Sequence, residues 1–203
     1  FITNHGAATS TLAIDSATDL NWGGVIENGS SPIAVIKTGT SIQTFSGTNT
    51  YTGATTVNGG TLHVTGQLAA GSAVTVGGAA ATGTPTLSGL NGFVNGPVTI
   101  SAANGGAAGT ISPGTVGTIG TLNTGAAVIA GTYACDINDT AVDLLNISGN
   151  LDLTGSVIAL NELAAPAAAS YTVAIYSGTL PGTFPPTPAL PAVYTLDYAT
   201  PGV

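Results

Sequence analysis

Nine carboxylates, two histidines, one lysine and one cysteine are the reactive side chains of a 203-residue sequence. Their densest gathering is "CDINDTAVD", which holds Asp136, Asn138, Asp139 and Asp143. Carboxylates and amides this close supply the oxygen ligands of a hard cation, so calcium is the candidate cofactor and these four residues its candidate ligands. The run lacks the Gly-spaced loop and closing Glu of an EF-hand, and also the G-G-x-G-x-D nonapeptide of calcium-binding rolls. The preferred reading is a solvated turn between strands, with Asp143 leading into the next one and no cofactor bound. Paired carboxylates could also serve inverting glycoside hydrolysis. Sites for acidic sugars want cations and exposed aromatic rings as well. This chain has no Arg, its only Lys is Lys37, and its only Trp, Trp22, lies in a strand-like segment that reads as core. His5 and His63 are far apart in sequence, and His63 alternates with Leu62 and Val64, so it is expected to face solvent. Neither suits a metal site or a triad. No Ser lies in a nucleophile elbow. No catalytic residue is therefore assigned, and the expectation is that the chain is not an enzyme.

The remaining chemistry is sparse. One cysteine, Cys135, excludes an internal disulfide. Tyr133, Cys135 and Ile137 share parity, so on a strand all three face the core, where a small buried hydrophobe is preferred over a reactive thiol. Asn28, Asn138 and Asn146 open N-x-S/T sequons, and "DSA" at Asp15 and "DTA" at Asp139 resemble a bacterial O-glycosylation signal.

Composition sets the class. Charged residues make up 5% of the chain, the net charge is −8 and the isoelectric point is near 4.1. A chain with one basic residue cannot neutralise phosphates, which excludes nucleic acid as a partner. It also lacks the cationic stripe of a membrane-surface helix. No apolar run approaches the length of a bilayer span. With 43% hydrophobic residues and a mean hydropathy of +0.44 the chain can bury a core and is not disordered. Phe1 is not a translation start, so the expected chain is a processed product or an excised piece.

The elements that would position these residues are strands. Gly and Thr, both poor helix formers, are everywhere. "TLHVTG", "AVTVGG", "PVTISA", "LLNISGNLDLTGSVIAL", "YTVAIYSG" and "YTLDYATPG" each alternate apolar with small polar residues and stop at Gly or Asn. The unit x-V-x-V-x-G recurs in variants, which suits stacked coils that bury like side chains on like. Like charges would also stack about every 4.8 Å, a reason for such coils to shed them.

One block is more specific. "IKTGTSIQTFSGTNTYTGATTVNGGTLHVTG", Ile36 to Gly66, resembles the autotransporter-associated β-strand repeat of bacterial surface and secreted proteins, a passenger-associated repeat. Lys37, Thr38, Gly39, Ser46, Gly47, Asn49, Thr50, Tyr51, Thr52, Gly53, Thr55, Thr56, Val57, Asn58, Gly60, Thr61, Leu62 and Val64 all match its pattern, and Gln43 departs from it by placing an amide where Leu is usual, at an inward site. "LNWGGVIENG", "GTISPGTVGTIGTLNTG" and the segment from Ala141 to Phe184 are similar to the flanks of that repeat. The resemblance implies a right-handed parallel β-helix, export to the bacterial cell surface or extracellular space, and no catalytic residues.

The fold expected is thus all-β, a parallel β-solenoid of roughly eight to ten coils and about 40 Å in length. Residues 1–160 are its coils, with the repeat block at 36–66, and 161–203 its C-terminal strands, cap or hairpin. Prolines 181, 185, 186, 188 and 191 break the pattern there. Leu62, Val64, Val74, Val76, Val98, Ile100, Ile147, Leu151, Leu153, Val173 and Ile175 should be buried. Both ends alternate like strands, so head-to-tail assembly of copies into a fibre or sheath is expected. The alternatives are a stalk or adhesin passenger segment, with surface polysaccharide as a partner, and a carbohydrate-active β-helix.

Overall fold

Short alternating runs punctuated by Gly and Asn make strands too brief to stand alone, and each gains its partners only from the next turn of chain. The computed structural model describes residues 1–168, 170–185 and 194–198. The chain winds through β1 (Ile2–Asn4), β2 (Ser10–Asp15), β3 (Leu20–Trp22), β4 (Ile26–Asn28), β5 (Ile33–Thr38) and β6 (Ile42–Phe45). It continues through β7 (Thr55–Val57), β8 (Thr61–Val64), β9 (Gln67–Leu68), β10 (Val74–Val76), β11 (Thr86–Gly89), β12 (Gly92–Val94) and β13 (Val98–Ile100). Then follow β14 (Thr110–Pro113), β15 (Thr121–Thr124), β16 (Ala127–Ile129), β17 (Thr132–Ile137), β18 (Leu144–Ile147), β19 (Leu151–Asp152), β20 (Val157–Glu162) and β21 (Ala174–Tyr176).

Two faces are 7-stranded sheets, β2-β5-β7-β10-β13-β16-β19 and β3-β6-β8-β11-β14-β17-β20. The third face holds β1-β4 and β9-β12-β15-β18-β21. All strand pairings are parallel, so this is a three-faced β-solenoid. Among the described residues it has seven turns, not eight to ten, and at one strand spacing per turn these span about 30 Å rather than 40. The count was too high because a turn takes three strands plus corner excursions: register partners lie from 19 positions apart (Thr55 to Val74) to 30 (Val94 to Thr124).

Inside, like stacks on like. One column runs Leu12, Val35, Thr55, Val74, Val98, Ala127, Leu151. Another runs Leu20, Gln43, Leu62, Leu87, Ile111, Tyr133, Ile158. A third runs Leu68, Val94, Thr124, Ile147, Tyr176. One hydrophobic cluster links them from Ile26 to Phe184. Outside, Thr61, Thr86, Thr110 and Thr132 form a ladder, and Thr56, Thr75 and Thr99 a second.

Nine of the eleven expected core residues are buried, Leu62 through Leu153. Val173 and Ile175 are only half-buried. The parity was one residue off in β21: Ala174 stacks on Leu145 and Tyr176 on Ile147, which leaves Ile175 level with the outward Asn146. Trp22 is half-buried against the core rather than within it, because it belongs to the first turn. The C-terminal segment forms no hairpin among the described residues, since β21 adds in parallel to β18. Prolines 186, 188, 191 and 201 lie outside the described residues.

Candidate functional site

The four candidate ligands sit at the corner between β17 and β18, and the fold does not aim them at one point. Asp143 is fully buried, and its carboxylate accepts N–H bonds from Gly120 (2.8 Å) and Asp136 (3.0 Å). Asp136, also buried, accepts from Gly117 N (2.6 Å) and from the Asn161 amide (2.7 Å). Asn138 Oδ1 caps the turn, accepting from Thr140 N (2.9 Å) and Ala141 N (2.8 Å). The side chain of Asp139 is exposed. The two buried aspartates thus clamp the loop 114–120 of the preceding turn onto β17. Burial raises the Asp143 carboxyl to about 6, against the pull of its two N–H donors. Among the described residues no group of three or more His, Cys, Asp or Glu side chains is arranged to hold a metal ion.

The other reactive groups are also consumed inside the stack. His63 was expected in solvent but is buried, and its Nδ1 lies 2.8 Å from Ser88 Oγ, its register partner one turn on. It does point away from the core, yet in a stack a side chain is also flanked by its neighbours one turn before and one turn after. That desolvation lowers its pKa. Lys37 occupies a core column between Ile14 and Val57. It is fully buried, and its ammonium donates to the carbonyls of Thr38 and, at 3.4 Å, Gly59. Desolvation lowers its pKa, partly opposed by Asp15 and Asp19. Cys135 faces the core with Tyr133 and Ile137, as parity predicts, and burial pushes its thiol up to about 12, so it is no thiolate nucleophile.

The repeat block shows what its residue types are for. No strand forms on the third face between β4 and β9, and residues 48–52 run there instead. The buried Asn49 side chain stitches that gap, accepting from Ile26 N (3.0 Å) and donating to the carbonyls of Gly47 (3.1 Å) and Gln67 (3.3 Å). Tyr51 fills the space behind it, its hydroxyl 2.7 Å from Thr55 Oγ1, which in turn lies 3.0 Å from Ser72 Oγ. Gln43 points inward as expected and donates to Thr44 O (3.0 Å). At Gly47 a Cβ would fall 2.1 Å from Gly24 O, so only Gly lets these turns close.

The two ends differ, and the C-terminal one is closed by the segment expected as strands, cap or hairpin. At the N-terminal end β1, β2 and β3 are edge strands around a cavity of about 280 Å³ lined mainly by apolar side chains, among them Leu12, Ile14, Leu20, Trp22 and Phe45. The Trp22 Nε1 there is buried with no hydrogen-bond partner among the described residues. At the C-terminal end Phe184 enters the core, 7% exposed, and stacks on Tyr133 with ring centroids 6.2 Å apart. Tyr198 Oη accepts from Phe184 N (3.0 Å), and Leu180, Leu196 and Tyr198 pack against the same core. A lone Phe in a proline-rich stretch was the available signal.

Among curated proteins and among solved structures none matches this chain. A family model does: residues 35–64 match the passenger-associated-transport-repeat, so the block whose Asn, Tyr and Gly close the second and third turns carries that repeat.

Proposed function

We propose that this chain is a non-catalytic structural module of an exported bacterial surface protein, a rigid β-solenoid length of passenger-like architecture. The repeat at residues 35–64 and the seven-turn solenoid fit such a module. The observation that carries the non-catalytic part is the state of the reactive groups. Asp136 and Asp143 each accept two N–H bonds, His63 is tied to Ser88, and Lys37 is buried in a core column. Labelling of intact cells of the source bacterium with an antibody to the chain is the test of location. Surface labelling is expected, and labelling only after permeabilisation would refute it. Incubation with a panel of polysaccharides should release no new reducing ends, and turnover lost in Asp139→Ala or Asp143→Ala would refute the non-catalytic reading.

A second reading, axial self-association, is favoured by the N-terminal end. Three edge strands around an apolar cavity suit the addition of another coil. Sedimentation of the purified chain over a concentration series tests it, with association expected and a persistent monomer refuting it.

A further inference from the structure

We propose that the outer surface of the third face, centred on Phe93, binds a neutral polysaccharide. This goes beyond the structural-module reading and does not depend on where the chain is displayed.

The inference starts from one aromatic ring. Between residues 46 and 170 the aromatic residues are Tyr51, Phe93 and Tyr133. The two tyrosines are buried in the core, whereas Phe93 is 48% exposed. It holds the outward position of β12, between the buried Gly92 and Val94. On the other two faces the ladders put Thr at such positions. A ring left in water forgoes the gain that burial gives the core aromatics. What surrounds it is amide. Its register partners are Gln67 in the turn before and Asn123 in the turn after, and Asn146 follows one turn further on. Along the chain Asn91 and Asn95 flank it, both exposed. Three of these amides are held in place. Asn95 donates to Leu68 O (3.0 Å), Asn123 to Gly92 O (3.1 Å) and Asn146 to Asn123 Oδ1 (2.9 Å). An amide nitrogen carries two N–H groups, so each keeps a second one for a ligand.

A pyranose is complementary to this arrangement. The C–H bonds on its face stack on an aromatic ring, and the hydroxyls on its rim pair with amides, which both donate and accept. Amides already fixed by the backbone lose little freedom when they bind. Charge narrows the class of glycan. No Asp, Glu, Lys or Arg occurs between Lys37 and Asp136, so the turns on either side of Phe93 bring it no charge. An anionic glycan would want cations there. A protein partner would want a contiguous apolar patch, and Phe93 is a single ring among amides. The column repeats once per turn, about every 4.8 Å, an advance close to that of one sugar in an extended chain. A polysaccharide lying along the solenoid axis therefore meets Gln67, Phe93, Asn123 and Asn146 with successive sugars. No carboxylate takes part, so binding brings no cleavage.

The test is affinity electrophoresis of the purified 203-residue chain. Native gels would contain galactomannan, dextran or hydroxyethyl cellulose as neutral probes, or polygalacturonate as an anionic one. Retardation by at least one neutral polymer is expected, and none by polygalacturonate. Phe93→Ala should weaken that retardation roughly tenfold. Its circular dichroism and melting temperature should stay unchanged, because the ring faces outward. Phe93→Trp should keep the retardation, and so should Val128→Ala, which removes an exposed apolar side chain from another face. No retardation by any neutral polymer would overturn the proposal. Equal retardation by polygalacturonate, or retardation that survives Phe93→Ala, would do the same. Self-association that depends on Phe93 in sedimentation would assign the ring to a protein contact and also overturn it. None of these outcomes alters surface labelling of cells, so the structural-module reading stands or falls separately.

Discussion

The first and last described turns of the solenoid differ in what covers their outer faces. A stack of coils leaves its first and last turns with one face uncovered. At the C-terminal end the chain folds an aromatic side chain back into the core, and Phe184 closes on Tyr133. At the N-terminal end nothing among the described residues closes the floor, and Leu20 is 48% exposed although it heads a column whose next three members are buried. The lesson is that the position of a residue in its column does not set its burial. What sets it is whether a turn lies on both sides.

The largest expected effect tests that directly. Phe184→Ala should cost about 3 kcal/mol in urea unfolding, as deletion of a buried aromatic ring usually does. Leu12→Ala, at the equivalent inward position of the open end, should cost less than about 1 kcal/mol. Equal losses would abolish the distinction between the ends.

Acid should separate the two halves next. The folded carboxyl of Asp143 is raised to about 6 from 3.8, so the folded state holds that proton more tightly. Its contribution is full below about pH 3.8 and is lost as pH rises through about 6, a change on the order of 2–3 kcal/mol. The pKa of His63 is lowered, so its contribution runs the other way, present above about pH 6.5 and lost as pH falls. Amide exchange between pH 7 and 5 should therefore show strands around β17 gaining protection and those around β8 losing it. Asp143→Asn should remove the first trend and spare the second.

A smaller effect is expected at Asn49. Asn49→Ala removes a side chain that bonds three backbone groups in the gap of the third face, and should cost about 2 kcal/mol by thermal melting. The smallest should be Lys37→Met, which exchanges a buried cation for an apolar chain of similar length and should change stability by less than about 1 kcal/mol, in either direction. Calcium or a chelator should leave the melting temperature unmoved, since the buried aspartates already have their donors.

Much of the fold is legible in the sequence because alternation and Gly punctuation act locally. The inward parity of Leu62 and Val64, of Val74 and Val76, and of Tyr133 and Cys135 follows from a period of two, while the inward amide of Gln43 follows from the resemblance to the repeat, where Leu is usual. What alternation cannot show is the identity of the neighbour one turn away. His63 has outward parity, yet stacking against Ser88 buries it. Asp143 reads as a turn residue, and its partner Gly120 lies 23 positions earlier, a distance fixed only by the length of that turn. The number of turns failed for the same reason; a C-terminal cap was among the expectations, but not the residue that plugs the end, because Phe184 belongs to no alternating run.

The uneven length of the turns has a consequence for what this molecule measures. A turn can absorb 19 residues or 30 and still advance the axis by one strand spacing, because the surplus leaves at the corners. The solenoid is therefore a ruler graduated in turns and indifferent to residues. Material added at a corner such as 101–109 or 163–168 changes the girth and the surface chemistry at one height and leaves the reach unaltered. Reach changes only when a whole three-strand turn is gained or lost, in steps of about 4.8 Å.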